Sequence, residues 1–585
     1  MASFEPQPRR SPSRRALLVA AGSLLLLVIF GLLAQAFGGR APGGPGEGGG
    51  APSAAVPGQE AAGDGTTPAG GAPGRAGDEP GPRHFDLLVR GGLVIDGSGR
   101  PAFRADVGVV GDRIVAVGDL AGAAADEVID AAGLVVAPGF INAHSHTYEY
   151  VAGAPEADAD LMQGITTVIG GVDGRSPWPL GRFFTQLEEK GIGNNQALFV
   201  GHGTVRARVM GTADRPPSPR ELERMGRLVR QAMEEGALGL STGLEYVPGR
   251  YARTDELIAL ARHVAPYGGI YSSHMRSEGD DIGDALAEAL RIGREAGVPV
   301  NISHFKVVFR RNWEKLAGLM AQIEAARQSG QVVVADVYPY LAPDYTSALR
   351  LRSVWPQYPP EDVFIRQSRV TAAVGSTLAE YAARLGVPAP EAARQLLARD
   401  RDTVATVFVV SEANLEQLLR APFTIISNDG GARRPVPDPR TTGLHPRVYG
   451  AYPRVLARYV RERGVLTLEE AVHKMTGAPA TFFGLRDRGF VREGMYADLV
   501  VFDPEHIQDV ADWVRPQAYP RGIVAVVVNG QVAVRDGRRV PGVLAGRVLR
   551  GGKDALIGNP RTGAVPPAGD RPVTGPRQGG VIPAE

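Results

Sequence analysis

Two histidines, His144 and His146, stand one residue apart in GFINAHSHTYEY (139–150), directly after an apolar run. Alternate side chains on a β-strand point the same way, so two imidazoles separated only by Ser145 could grip one metal ion. Three more histidines close short, β-branched apolar stretches: His202 in QALFVGHG (196–203), His274 in GIYSSHM (269–275) and His304 in VPVNISHF (298–305). Asp429 closes another, FTIISND (423–429). A lone strand-end histidine is more often a hydrogen-bonding residue than a ligand, and an aspartate there could equally cap a helix. Brought to one place, such residues are the parts of metal-assisted hydrolysis. Bound zinc lowers the pKa of its water to about 7, and a carboxylate such as Asp429 can carry the proton to a leaving group. The chain has no cysteine, which excludes disulfides, thiolate sites and a cysteine nucleophile. Any metal must be held by His, Asp or Glu.

These ends converge only if the stretches are parallel strands of one barrel. GLVVAPGFINAHSH, TTVIGG (166–171), LGLSTG (238–243) and VVVADVYPY (332–340) bring the number of such stretches to eight. Between most of them lie helix-like segments with spaced apolar residues, such as PRELERMGRLVRQAMEEG and DALAEALRIGREAG, each closed near a glycine. The pattern predicts an α/β protein, a (β/α)8 TIM-like barrel over residues 139–487, whose strand ends share one rim where catalytic groups collect. Residues 341–421 are inserted between strands seven and eight and read as a lid or subdomain. Strand-and-turn patterns at 84–138 and 488–545 predict a small β-sandwich built from both flanking segments. His84, His263, His473 and His506 read as structural, and His445, after strand eight, is left open.

The amino terminus carries a separate signal. A basic segment (1–15) with Arg9, Arg10, Arg14 and Arg15 precedes the uncharged run ALLVAAGSLLLLVIFGLLAQAF (16–37), long enough to cross a bilayer core of about 30 Å. The expectation is an N-terminal membrane segment with the barrel outside the cytoplasm. Ala34-Gln35-Ala36 also resembles a signal-peptide cleavage site, which would release a secreted protein. Residues 38–83, rich in Gly, Pro and Ala, read as a disordered linker, and 546–585 as a disordered tail. Lys plus Arg number 64 against 63 for Asp plus Glu, so charge gives no reason to expect nucleic acid as a partner. No specific protein partner is expected either; the implied partner is a small molecule.

In chain order, VVAPGFINAHSH, SSHMRSEG, NISHFKV, DVYPY, SNDGG and HPRVYGAYPRVLARYVRE, with the late GMYADLVVFDP, resemble the amidohydrolase superfamily. The likeness is greatest to its N-acyl-D-amino-acid deacylase (D-aminoacylase) group and spans about residues 85–545. The resemblance implies a zinc enzyme, with one or two ions, that hydrolyses the amide of N-acyl-D-amino acids by attack of metal-bound hydroxide. It implies His144, His146, His274 and His304 as metal ligands, and Asp429 as catalytic acid/base beside the metal. It places His304 and Lys306 on the group's HxK signature, with Lys306 meeting the substrate carboxylate; Arg276 and Tyr338 are natural further donors to it. One position departs. Where D-aminoacylases commonly carry a cysteine in a TTVVVGNCG-like segment, TTVIGGVDG puts Asp173, either an oxygen ligand that zinc accepts or an Asp-Gly turn residue. A cyclic-amide hydrolase of the dihydroorotase or hydantoinase type, a D-dipeptidase, and a catalytically inactive membrane-tethered binding protein stand as alternatives.

Overall fold

The structure, a computed structural model, describes residues 84–432, 435 and 444–551. The expected membrane segment, its basic lead, the linker and the chain beyond 551 lie outside those residues. Among the described residues no helix is long and apolar enough to cross a membrane.

The amino-terminal flank forms β1 (His84–Val94), β2 (Phe103–Val110), β3 (Arg113–Gly118), β4 (Ala124–Asp130) and β5 (Val135–Pro138). The barrel then begins with β6 (Phe140–Asn142), β7 (Ile165–Gly170) and β8 (Asn195–Leu198), which β9 (Val200–Gly201) continues after one residue. It proceeds through β10 (Gly239–Gly243), β11 (Ile270–His274), β12 (Val300–Ile302) and β13 (Val333–Val337). The insertion contributes β14 (Leu349–Arg350), β15 (Val363–Gln367), β16 (Ser376–Thr377) and β17 (Val404–Val407), before β18 (Thr424–Ile426) returns to the barrel.

β6, β7 and β8 pair in parallel, as do β9 to β13 and β18. The ring closes where Ser145 bridges Gly430 in parallel and the Asp429 N–H donates to the His144 carbonyl at 3.1 Å. With β8 and β9 counted as one interrupted strand, this is the expected eight. The barrel strands are covered on both faces, and all six residues of β7, its two threonines included, are buried. The outer helices follow from capping and periodicity. In Pro219–Glu234, Ser218 and Glu221 form a reciprocal capping box, and Met225, Val229, Ala232 and Met233 make the buried stripe.

The inserted segment is a subdomain of its own: an antiparallel sheet ordered β14-β17-β15-β16, packed with the helices Leu378–Leu385 and Ala389–Arg399. Its leading loop delivers Pro343, Asp344 and Tyr345 to the barrel mouth.

The carboxyl-terminal flank supplies β19 (Leu499–Phe502), β20 (Ile523–Val528), β21 (Gln531–Arg535) and β22 (Arg538–Arg539). The two flanks form a single nine-stranded sheet joined through β5 and β19. Alternation along these strands gives the sheet two apolar faces. Val135, Ala137, Val500, Phe502, Val526 and Val528 pack with the barrel, whereas Val136, Leu499, Val501, Ala525 and Val527 join Leu87, Val89 and Val107 in a core belonging to the sheet. A buried polar knot ties the two bodies together. Asp498 pairs with Arg488 and accepts from Asn195 Nδ2 at 3.1 Å and from the Asn529 N–H at 2.8 Å. Residues 546–551, expected to open a disordered tail, instead run beside β8: the Gln196 N–H donates to Arg547 O at 2.9 Å, the Leu549 N–H to Gln196 O at 2.8 Å, and the Gly551 N–H to Gly236 O at 2.9 Å. Their position follows from the unpaired backbone groups that the start of β8 offers.

Candidate metal centre

A cavity of about 580 Å³ opens at the carboxyl ends of the barrel strands, lined by His146, Asp173, His274, His304 and Asp429 among others. His144 lies beneath it, fully buried. Two groups of donor atoms meet there, His144, His146, Asp173 and Asp429 in one, Asp173, His274 and His304 in the other, so Asp173 is common to both. His144 Nε2 is 3.4 Å from Asp173 Oδ1 and 3.6 Å from Asp429 Oδ1. His146 Nε2 is 3.5 Å from Asp173 Oδ2 and 3.4 Å from Asp429 Oδ1. A tetrahedral zinc with ligand distances near 2.1 Å has edges of about 3.4 Å, which these separations match. In the second group His304 Nε2 lies 3.5 Å from Asp173 Oδ1 and His274 Nδ1 lies 3.9 Å from it, while the two nitrogens are 2.9 Å apart. His144 Nδ1 and Nε2 and Asp173 Oδ1 are buried without a hydrogen-bond partner. A neutral imidazole offers one lone pair, and the orphaned His144 Nε2 and Asp173 Oδ1, 3.4 Å apart and of types zinc accepts, fit a metal.

Backbone conformation aims these groups. Asp173, His304 and Asp429 have φ of +54°, +35° and +46°, a region that residues with a Cβ seldom occupy. For His304 the strained turn is held by its N–H, which donates to Asp336 Oδ1 at 2.9 Å. Burial opposes the charge on Asp173, yet the His144 and His304 rings hold its carboxyl well below the usual range. Asp429 is likewise held low against burial, chiefly by Arg447, whose Nη1 is 2.8 Å from Oδ2. Both carboxylates are therefore ionised, as ligands and proton acceptors must be.

The opposite wall is cationic and phenolic. Lys306 lines the cavity, its Nζ donating to Glu278 Oε1 at 2.5 Å and to His304 O at 3.0 Å. Tyr338, buried and with no partner for its hydroxyl, lies below Arg447 and Lys306 at 4.8 and 5.4 Å. Burial pushes its pKa up to about 12, so the hydroxyl remains a donor. Arg447 and Glu278 were not legible as site residues; the only signals were a cation two residues after His445 and a carboxylate four after His274.

Other sequence expectations resolve differently. Arg276 is not brought to the cavity: its guanidinium is committed to Glu288 and to the carbonyls of Arg250 and Ala252. His202 opens the helix His202–Met210 and, with Arg206, contacts the buried Glu256 rather than facing the rim. His445 lines the cavity, but its Nε2 donates to Ala342 O at 2.7 Å and its Nδ1 accepts from the Arg447 N–H at 3.0 Å, fixing the loop that carries Arg447.

A closed parallel barrel with clustered histidines and carboxylates at its carboxyl-end rim defines a metal-dependent hydrolase. Residues 127–330 and 323–534 match the Amidohydrolase family. The chain belongs to that family and, within it, to the N-acyl-D-amino-acid deacylase group. It is 38% identical over 501 residues to the N-acyl-D-glutamate deacylase of Alcaligenes xylosoxydans xylosoxydans, covering 81% of this chain and 97% of that one. To the D-aminoacylase of the same organism it is 38% identical over 507 residues, covering 80% and 97%. Among solved structures, it resembles the N-acyl-D-glutamate deacylase from Bordetella bronchiseptica, complexed with zinc and a phosphonate mimic of the tetrahedral intermediate. The TM-score is 0.66 and the identity 35%, over 80% of this chain and 100% of that one. An L-hydantoinase from Arthrobacter aurescens, 17% identical with a TM-score of 0.54 over 80% of this chain and all of that one, shares the fold.

Proposed function

We propose that the protein is a zinc-dependent amidohydrolase that hydrolyses N-acyl-D-amino acids to a carboxylic acid and a D-amino acid. The observation that carries this reading is the convergence of two donor groups sharing Asp173, with Asp429 against one of them and paired to Arg447, and with Lys306 and Tyr338 lining the same cavity. His144, His146 and Asp173 would hold one ion, His274, His304 and Asp173 a second, with Asp429 beside the first. Zinc when bound supplies Lewis acidity, lowering the pKa of water and polarising the scissile carbonyl. In the reaction, water oxygen adds to the acyl carbon, the C–N bond breaks, and a water proton ends on nitrogen. Asp429, ionised and facing His144 and His146 through Oδ1, receives that proton on a carboxylate oxygen and delivers it to the departing amine. Arg447 holds Asp429 as the base until then. Lys306 Nζ, Tyr338 OH and the Arg447 Nε, which lacks a hydrogen-bond partner in the structure, are donors for the amino-acid carboxylate. Fixing that carboxylate and the acyl carbonyl would hold the amide toward the base.

The test is hydrolysis of a panel of N-acetyl-D-amino acids, their L enantiomers, hydantoin, dihydroorotate and D-dipeptides by the zinc-loaded protein. Turnover of D substrates is expected; inactivity on every N-acyl-D-amino acid with turnover of a cyclic amide would overturn the assignment. The sequence 16–37 supports attachment of this enzyme to a membrane with the barrel outside the cytoplasm. Membrane fractionation of the full chain, and protease access from the outer side, test that reading.

A further inference from the structure

Each of the four site histidines has a carboxylate beyond each of its ring nitrogens. One ring nitrogen faces Asp173, and the other faces a carboxylate of its own. His144 Nδ1 is 3.6 Å from Asp336 Oδ2, His146 Nδ1 3.5 Å from Glu149 Oε1, His274 Nε2 3.4 Å from Glu245 Oε2, and His304 Nδ1 2.9 Å from Glu278 Oε1. The four acids come from separate places: β13, the turn Thr147–Glu149, and the loops after β10 and β11. A neutral imidazole carries one proton, and the nitrogen that binds a metal is the one without it.

We propose that Asp336, Glu149, Glu245 and Glu278 are positioning residues: Glu278 accepts the His304 N–H at 2.9 Å, and the other three, 3.4–3.6 Å from their histidines, take the N–H of theirs when a metal draws on the opposite nitrogen. The proposal rests on the metal-centre reading above. Its sharpest case is Glu278. Lys306 Nζ lies 3.1 Å from His304 Nδ1 and can only donate. Facing that ammonium alone, Nδ1 would keep its lone pair and the proton would move to Nε2, the nitrogen directed at Asp173. Glu278 Oε1 accepts from Lys306 at 2.5 Å and from His304 Nδ1 at 2.9 Å, reversing that preference. One carboxylate thus sets the His304 tautomer and also holds the cation across from the base. Asp336 works in a similar double manner: fully buried, it faces His144 with Oδ2 while Oδ1 accepts from the His304 N–H at 2.9 Å and Ser427 Oγ at 2.8 Å.

The experiment measures zinc affinity of the full chain by competition with a chromophoric chelator, and the absorption spectrum of the cobalt(II)-loaded protein. Parent, Glu278→Gln, Glu278→Asp and Glu245→Gln are compared. Loss of such an outer partner weakens metal binding about 10–100-fold. That loss and an altered cobalt spectrum are expected for Glu278→Gln and Glu245→Gln, with partial recovery in Glu278→Asp. Glu245 lies on an exposed loop, so its variant folds whatever becomes of the buried one. Parent-like affinity and spectrum in Glu245→Gln and Glu278→Gln would overturn the proposal alone, whereas a parent that binds no zinc would overturn the metal reading together with it.

Discussion

Replacing Asp173 with alanine strikes both halves of the centre at once, because this carboxylate belongs to both donor groups. The first group falls from four donors to three and the second from three to two. Structural zinc sites with four ligands bind with roughly 10–16 kcal/mol, about 3 kcal/mol per ligand. At about 1.4 kcal/mol per factor of ten, losing one ligand weakens each group about a hundredfold. The second group, left with His274 and His304 alone, should no longer retain zinc through dialysis. Elemental analysis of the dialysed protein, with chelator competition for affinity, reads both effects; Asp173→Asn separates lost charge from lost shape. Asp173→Cys should restore retention, since thiolate is a good zinc ligand and the position is central to both groups. Unchanged zinc content and affinity in Asp173→Ala would refute the reasoning and return Asp173 to the status of a turn residue.

Asp429→Asn should lower kcat by about 10²–10⁴ while zinc is retained by His144, His146 and Asp173, measured by steady-state kinetics beside metal analysis. Asp498→Ala leaves the buried Arg488 without its charge partner and should destabilise the protein by about 3–5 kcal/mol, read as a lower denaturant midpoint. Burial lowers the pKa of Lys474 to about 8, from 10.5 when unfolded. Between those values the unfolded chain binds more protons, so stability should rise with pH across pH 8–10.5, by at most about 3 kcal/mol. Lys474→Met should abolish that rise in denaturation profiles recorded across the window.

The barrel was legible because short β-rich stretches alternate with helical patterns, and most of those stretches end near a histidine or aspartate. His144, His146, His274, His304 and Asp429 could be collected at one rim from that regularity alone. What sequence could not supply was side-chain direction beyond the strands. His202 follows a strand stretch as His274 and His304 do, yet a helix starts on it and turns it to Glu256. Arg276 is two residues from His274, but the chain has already left the strand and Glu288 claims its guanidinium. Arg447 enters from the far side of barrel closure, a juxtaposition that no local pattern records. Asp336 did leave a trace: a carboxylate inside the apolar strand VVADV can be buried only if it has partners.

The sheet that joins the two flanks also constrains how the molecule is assembled. Its central seam pairs Val136 with Val501, residues at opposite ends of the barrel sequence. A ribosome releases β5 long before β19 exists, so during synthesis the edge of β5 is exposed and Val136 lacks its partner. Contacts so distant in sequence form slowly, because chain closure must come first. The seam is expected to form late in folding, after barrel closure has brought β5 and β19 together. A truncation before residue 499 would therefore leave an open strand edge and favour aggregation over an otherwise intact hydrolase.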